Sequence, residues 1–330
     1  MNANRRHFLG TAAGAATVAC LGGTVGAQTE KADLPIIDTH QHLWDLDKFT
    51  LPWVADEASP EVLKRSYVTK DFLEATKGLN VVKAIYMEVD VRPDLQVKEA
   101  EHVIELSRSA AHPTVAAVIS GRPGSEGFAE YIARFENTPE IKGVRQVLQV
   151  PETPAGFCLG SQFVKSVQLL GDMGKSFDLC MRPAELADGA KLAAECPDTV
   201  CIVDHCGNAD PKAWMPENRR DGKEPWHEVD QWKRDMEALS KQKNVICKIS
   251  GIIARAPKGW TTEDLAAPIH FCLDTFGPDR VLYGGDWPVC KIAAPYKDWV
   301  ASLKSIVASR PVAEQKKLLH DNAVRVYGLS

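Results

Sequence analysis

The sequence lacks three features that would assign it to other classes of protein. It has no excess of positive charge, since 39 Lys and Arg stand against 44 Asp and Glu, and it therefore shows no electrostatic footprint for nucleic acid. Beyond residue 27 it has no apolar run long enough to span a membrane. Its nine cysteines include no C-x-x-C pair, and a chain of this length with such scattered cysteines does not predict a disulfide framework. Four of them stand in apolar, strand-like runs, where we expect small buried hydrophobic residues: Cys180, Cys201, Cys247 and Cys272.

Residues 1–27 resemble a twin-arginine export signal rather than part of a fold. Arg5 and Arg6 precede an apolar, Ala/Gly-rich run, and small residues end the segment before Gln28. A cytoplasmic N-terminal tail is the alternative, but the three parts occur in the order that an export signal requires. The sequence therefore predicts a signal peptide at 1–27, recognition by the twin-arginine export machinery, no stable membrane span, and a periplasmic or exported protein formed by residues 28–330.

Short apolar runs rich in β-branched residues alternate with segments of helical length along the rest of the chain. Eight such runs occur, at 36–42, 82–90, 115–122, 141–148, 177–182, 200–205, 245–250 and 281–286. Helical apolar stripes lie between them, for example at 97–109 and 163–173. Strands that alternate with helices predict parallel β-α-β units. Eight units without an interdomain linker predict an α/β fold, a single (β/α)8 (TIM) barrel domain over residues 28–330.

Two of the predicted connections are longer than the usual few residues. Residues 43–67 follow the first strand and residues 208–232 follow the sixth, and both segments carry tryptophans. Long connections on the catalytic face of a barrel often serve as lids. Disordered surface decoration is the alternative, and the tryptophans argue against it.

Polar residues cluster at the carboxyl ends of the predicted strands. Active sites of (β/α)8 barrels are built at that end, so the clustering predicts one site at the mouth of the barrel. The residues concerned are His40, His42, Glu88, Asp90, Arg122, Arg145, Arg182, Asp204, His205, Lys248, Ser250 and Asp286.

The first predicted strand ends in two histidines, His40 and His42, that could hold a metal ion. Residues i and i+2 of a strand point to one face, and neutral imidazole is a common ligand of zinc. His205 ends strand six, and Asp286 ends strand eight, which neighbours strand one in a closed barrel. These four side chains could form a mononuclear site with an open position for water. Two unrelated histidines at the mouth of a loop are the alternative.

The order of these motifs resembles the amidohydrolase superfamily, in the branch called amidohydrolase 2. The matching segments span residues 36–288 and read DTHQHLW (38–44), GVR (143–145), DHCG (204–207), KISG (248–251) and GDWP (285–288). The resemblance implies a barrel hydrolase of the kind that includes metal-dependent hydrolases and sugar-acid lactonases. The branch also includes a pyrone-dicarboxylate lactonase that works without metal, and its more distant relatives are decarboxylases.

Carried over to this chain, the resemblance implies His40 and His42 as metal ligands. It implies Asp286 as a ligand and as the general base that handles the attacking water. His205 would be a further ligand or the group that polarises the scissile carbonyl. One divalent ion, with zinc as the first expectation, is the implied cofactor, and metal-independent catalysis is the alternative.

The chain departs from the binuclear members of the superfamily in two places. Arg145 stands near the position of their bridging lysine, and no histidine ends strand five, which argues for one ion at most. Glu88 is the substitute oxygen ligand that the sequence offers. A structural ion pair of Glu88 with Lys83 or with an arginine is an equal alternative.

Four cations are predicted to converge on the barrel mouth, namely Arg122, Arg145, Arg182 and Lys248. Arginine forks suit carboxylates, and Trp44 and Trp287 could pack on a sugar ring. The alternatives are ion pairs that hold strand ends, and core packing. These residues therefore predict a small anionic or polyhydroxylated substrate, and the resemblance implies hydrolysis of a lactone or a related cyclic ester or amide. Decarboxylation and binding without catalysis are the alternatives.

Overall fold

The computed structural model describes residues 33–330, and the predicted signal segment at 1–27 lies outside them. Eight strands alternate with helices and pair in parallel, each with the next along the chain. The arrangement is a nearly closed (β/α)8 barrel, as the sequence predicts. The strands are β1 (Ile36–Gln41), β2 (Val81–Met87), β3 (Thr114–Ser120), β4 (Ile141–Val147), β5 (Ser176–Cys180), β6 (Cys201–Val203), β7 (Val245–Ile249) and β8 (Val281–Tyr283).

The helices pack around the strands. The α-helices are Pro52–Ala55, Thr69–Ala75, Gln96–Ser107, Phe128–Ala133, Ser161–Asp172, Leu186–Glu195, Val229–Lys241, Thr262–Phe276, Tyr296–Ile306, Val312–Lys316 and Asn322–Tyr327, with a π-helical turn at Lys317–Asp321 and a distorted helical turn at His205–Asn208. Short 3-10 turns occur at Glu61–Leu63, Pro93–Leu95, Phe157–Leu159, Pro183–Glu185, Pro211–Trp214, Glu217–Arg219, Ile252–Arg255 and Val289–Ile292. The two apolar stripes predicted at 97–109 and 163–173 correspond to the helices Gln96–Ser107 and Ser161–Asp172, which bury one face each.

Contacts between the last and the first strand close the barrel. The amide of His42 donates a hydrogen bond to the carbonyl of Trp287 at 2.7 Å, and the residue before it bridges Trp287 as a parallel neighbour. The amide of Gly285 donates to Oδ1 of Asp38 at 2.7 Å. These bonds bring the two histidines at the end of β1 beside Asp286, although 244 positions of sequence separate His42 from it.

Apolar side chains pack on both faces of the strands, in two separate layers. One fills the barrel interior and is completed by the C-terminal helix; it comprises Ile37, Ile85, Met87, Ala116, Val118, Ile202, Ile246, Leu282, Ala323 and Tyr327. The other, larger layer lies between strands and helices and contains most of the buried aromatic residues. All eight described cysteines are buried and unpaired, which confirms the expectation for the four in strand-like runs.

The two long connections hold ordered structure. The first contains the helix Pro52–Ala55 and buries Trp44, and the indole of Trp53 donates to the carbonyl of Val89 at 2.7 Å. The second is tied to the helix Thr262–Phe276 by an ion pair of Arg219 with Asp264. Their movement as lids stays a prediction. Between residues 33 and 330, no helix combines the length and the apolar character that crossing a membrane requires.

Candidate active site

A cavity of about 330 Å³ opens at the carboxyl ends of the strands. That volume lies at the lower end of the range for small-molecule sites. Predicted site residues from four strand ends line it, namely His42, Arg145, His205 and Asp286, together with Asp90. The structure therefore gathers much of the polar cluster of the sequence around one cavity.

His40, His42 and Asp286 form a buried group at the floor of this mouth. Oδ1 of Asp286 lies 3.4 Å from Nε2 of His42 and 3.8 Å from Nε2 of His40. Nδ1 of His42 lies 3.0 Å from the carbonyl oxygen of Met87. Because a carbonyl oxygen only accepts, Nδ1 of His42 carries a hydrogen, and Nε2 is the ring nitrogen that faces Asp286.

This group fits a single divalent ion. Its three ligand atoms all lie within 4.8 Å of one another and all three residues are buried. Two histidines and a carboxylate with an open position are a common donor set of catalytic zinc. In the structure, Nη1 of Arg145 lies 3.3 Å from Nε2 of His40. The guanidinium only donates, so this contact and an ion would use the same lone pair of His40.

His205 approaches the group from the opposite side. Its ring lies 4.5 Å from the ring of His40, and Nδ1 lies 3.0 Å from Oγ of Ser250. The backbone of His205 is left-handed, with φ 56°, which turns the side chain out of the line of β6. A Cβ at Gly251 would lie 2.2 Å from Nδ1 of His205, so this position requires glycine for steric reasons.

The electrostatics of the site keep Asp286 ionised and His40 and His205 neutral. Burial alone would raise the pKa of Asp286, but His205, His42 and His40 outweigh it and lower that pKa to about 2. Burial lowers the pKa of His205 to about 4 and holds the pKa of His40 well below its ordinary value. At neutral pH the site therefore combines the carboxylate base Asp286 with the neutral imidazoles of His40 and His205.

Arg145 is held by carboxylates in the barrel interior. Its Nε donates to Oε1 of Glu88 at 2.7 Å, and Nη1 lies 3.5 Å from Oδ2 of Asp204. Glu88 thus makes the ion pair with an arginine that the sequence left open. Among the described residues, it does not belong to the groups of side chains that could hold an ion.

Lys248 lies entirely buried below the cavity. Its Nζ donates to Oδ2 of Asp178 at 2.6 Å and lies 3.1 Å from Oδ1 of Asp204. Burial would lower the pKa of Lys248, but the two carboxylates outweigh it and raise that pKa. Burial raises the pKa of Asp178 to about 7 despite Lys248. Lys248 is not among the residues that line the cavity.

The remaining residues predicted to bind substrate make ion pairs with carboxylates or pack against aromatic rings. Arg122 pairs with Asp90 at 2.8 Å, and Arg182 pairs with Glu185 and donates to the carbonyl of Val150 at 2.7 Å. Trp44 and Trp287 are buried among aromatic rings. Substrate binding by Arg122, Arg145, Arg182, Lys248, Trp44 and Trp287 stays a prediction, and only Arg145 of these six residues lines the cavity.

Sequence reasoning missed Trp53 and Arg255, which both line the cavity. Arg255 stands five residues beyond Ser250, in the 3-10 turn that follows β7. It therefore lies beyond the strand ends at which the sequence predicts the site, and its position in the first turn after a strand is the signal that indicates it.

Comparison with known proteins agrees with this geometry. A family profile described as Amidohydrolase matches residues 37–329. The chain is 28% identical to an L-fucono-1,5-lactonase of Burkholderia multivorans, over 89% of this chain and 96% of the relative. It is 24% identical to an L-rhamnono-gamma-lactonase of Scheffersomyces stipitis, over 89% and 98%. A zinc-bound amidohydrolase structure from Burkholderia multivorans, 24% identical, superimposes with a TM-score of 0.76 and covers 90% of this chain and 100% of that chain.

The profile match covers nearly the whole described chain, and the chain therefore belongs to the amidohydrolase family. This membership makes the protein an enzyme of the hydrolase class. It also removes binding without catalysis from the alternatives that the sequence left open.

Proposed function

We propose that the protein hydrolyses a lactone of a sugar acid or of a similar small hydroxy acid. The observation that carries this proposal is the ionised Asp286 beside two histidines at the floor of a cavity of about 330 Å³. Relatives named as lactonases of fucono- and rhamnono-lactone support the substrate class. A five- or six-membered sugar lactone is of a size that such a cavity accepts.

Asp286 serves as the base and then as the acid in this proposal. Its carboxylate accepts a proton from water as the water oxygen bonds to the lactone carbonyl carbon. The carbon–oxygen bond of the ring then breaks, and Asp286 returns the proton to the leaving alkoxide. The product is the open hydroxy acid. A pKa of about 2 keeps the base form of Asp286 available over the whole neutral range.

His205 is the group that we place against the carbonyl oxygen. The hydroxyl of Ser250 can donate to Nδ1 of His205 across their 3.0 Å contact. That bond leaves the hydrogen on Nε2, which can donate to the oxygen as negative charge develops there. His205 as an additional metal ligand requires the opposite tautomer, with the hydrogen on Nδ1.

His40, His42 and Asp286 would hold one divalent ion, with zinc expected first, which would lower the pKa of bound water towards about 7. Elemental analysis of the purified protein, followed by chelation and by readdition of zinc, manganese or magnesium, tests this cofactor. Turnover that falls on chelation and returns with one metal supports it. Full turnover with less than a tenth of an equivalent of metal contradicts it and leaves Asp286 as a metal-independent base.

A panel of sugar-acid lactones tests the reaction itself. Each hydrolysis releases one proton from the acid product at neutral pH, and a pH indicator therefore reports turnover. Aromatic carboxylic acids are assayed in parallel for carbon dioxide. Lactone hydrolysis without carbon dioxide supports the proposal, whereas release of carbon dioxide with inert lactones would identify a decarboxylase.

We also propose export through the twin-arginine pathway, on the motif in residues 1–27. Fractionation of cells that express the full chain tests it, with Arg5→Lys combined with Arg6→Lys as the comparison. Periplasmic protein that shifts to the cytoplasm in the double variant supports export. An equal distribution of the two proteins contradicts it.

A further inference from the structure

Arg255 is a cation of the cavity wall that has neutral partners. Its Nη2 donates to Oδ1 of Asn208 at 2.5 Å and to Oε1 of Gln149 at 3.2 Å. Its guanidinium carbon lies 4.1 Å from the ring centre of Trp226, which covers one face. These contacts orient the guanidinium, and none of them neutralises its charge.

The other cations of the barrel mouth differ from Arg255 in this respect. Each of them pairs with at least one carboxylate: Arg122 with Asp90, Arg145 with Glu88 and Asp204, Arg182 with Glu185, and Lys248 with Asp178 and Asp204. Within residues 33–330, Arg255 has no ion pair with a carboxylate. A guanidinium placed in a cavity without a counter-ion is unfavourable unless a ligand supplies one.

Arg255 stands at a different strand end from the reacting group. It follows β7, whereas Asp286 follows β8 and the histidine pair lies at the end of β1, and all of these side chains except His40 line the same cavity. Burial lowers the pKa of Arg255, and the nearby groups Cys180, Asp286 and Asp210, which raise it, do not outweigh this effect. An anionic group at Arg255 would therefore leave the scissile carbonyl free to lie at Asp286.

We propose that Arg255 binds a carboxylate of the substrate, so that this enzyme prefers lactones that carry a second, ionised acid group over neutral sugar lactones. Guanidinium and carboxylate form charge-assisted, forked hydrogen bonds. Trp226 belongs to the long connection after β6 and lies against the guanidinium. The connection after β6 therefore contacts the residue that would bind the carboxylate of the ligand. The preference rests on the proposed lactone hydrolysis, whereas the binding of a carboxylate to Arg255 can be measured without any turnover.

Binding is measured first, by calorimetry with succinate and with the uncharged isostere succinamide. The proteins are the wild type, Arg255→Gln, Arg255→Lys and the control Arg220→Gln, whose half-buried arginine lies in the same connection and pairs with the exposed Glu224. We expect succinate to bind the wild type and the control at least about tenfold more tightly than Arg255→Gln. Arg255→Lys should retain part of the affinity, and succinamide should bind all four proteins equally weakly.

Kinetics then separate recognition from a structural role. Arg255→Gln should raise KM for a lactone with an additional carboxylate by at least about tenfold more than it raises KM for a neutral lactone of the same ring size. Equal losses on both lactones together with a lowered Tm would show that Arg255 only holds Asn208 and Gln149 in place, and would overturn the proposal. Equal binding of succinate by the wild type and Arg255→Gln would overturn it as well.

The two proposals fail in different ways. Succinate binding that depends on Arg255, without hydrolysis of any lactone, would reject the reaction and keep the carboxylate site. Efficient hydrolysis of neutral lactones without preference for charged ones would keep the reaction and reject the site.

Discussion

The two ends of the barrel interior are built from the same strands but from opposite kinds of residue. Near the amino ends of the strands, the interior holds Ile202 and Ile246, in an apolar cluster that includes Tyr327. Two positions later on the same strand faces stand Asp204 and Lys248, which are buried and charged. One step of the strand period therefore separates an apolar layer from a charged layer.

This difference shows how the fold divides stability from function. Each fully buried aliphatic side chain of the apolar layer stabilises the fold by roughly 1.5–3 kcal/mol. The charged layer must lose its hydration, and its ions are tolerated because they compensate one another. Asp204 is the centre of this compensation, since His40, Arg145 and Lys248 all approach its carboxylate. The charged layer holds the reacting groups in position. The apolar layer stabilises the fold on which the charged layer depends.

The largest expected effect is the loss of turnover in Asp286→Asn. Asparagine keeps the shape of the residue and tolerates its left-handed backbone, at φ 52°, but it cannot accept the proton. We expect kcat on the best lactone to fall by about 10²–10⁴-fold with the fold retained. Steady-state kinetics and circular dichroism check this, with the exposed Asp298→Asn as the control. Turnover in Asp286→Asn close to that of the wild type would exclude Asp286 as the base.

The next largest effect is expected on the free energy of unfolding, from a substitution that removes a charge of the charged layer. Lys248→Met leaves Asp178 buried without its cation and leaves Asp204 with Arg145 as its remaining cation, and we expect a loss of roughly 3–5 kcal/mol in the free energy of unfolding. Urea denaturation measures it. Adding Asp178→Asn removes the buried carboxylate that has lost its cation, and the double variant should therefore recover part of the loss. Additive losses in the double variant would contradict the pairing.

The third prediction concerns pH and the carboxyl group of Glu99, which lies behind the mouth. Its Oε1 accepts hydrogen bonds from Tyr86 Oη and from the amide of Val89, both at 2.9 Å. Burial, followed by the charge of Glu88, raises the pKa of Glu99 from 4.5 to about 8. The folded state therefore keeps a proton that the unfolded chain releases near its ordinary pKa. Stability should fall as pH rises through this window.

Thermal unfolding of Glu99→Gln between pH 5 and 8 checks this sign. The variant keeps the acceptor oxygen but cannot ionise, so its Tm should fall less with rising pH than that of the wild type. The exposed Glu101→Gln on the same helix is the matched control and should follow the wild type. Parallel curves for all three proteins would show that Glu99 does not titrate in this range.

The smallest effect is expected in the apolar layer. Ile202→Val removes one methyl group beneath Asp204, and we expect a cost of about 0.5–1.5 kcal/mol with kcat and KM unchanged. Urea denaturation and steady-state kinetics measure both properties. A large change in activity in this variant would mean that the two layers are not separable.

The sequence predicts the position of the histidine–aspartate group because strand period and barrel closure act on any side chain at those positions. The positions of four side chains at the barrel mouth could be predicted without knowing which residues they contact: His40, His42, His205 and Asp286. The cations were harder to place, since a cation at a strand end can face either the ligand or a carboxylate. Arg145 and Glu88 are 57 positions apart, and Lys248 and Asp178 are 70 apart.

The sequence by itself thus determined the eight strands, their order and the residues that stand at their carboxyl ends, because these follow from local periodicity. Only the tertiary structure decided which charges neutralise one another, which tryptophan reaches the cavity, and that Arg255 is left with neutral partners. Those outcomes depend on the distances between side-chain atoms from different strands of the closed barrel. A distance of one or two ångströms there separates an ion pair from a free charge, and no spacing along the chain encodes it.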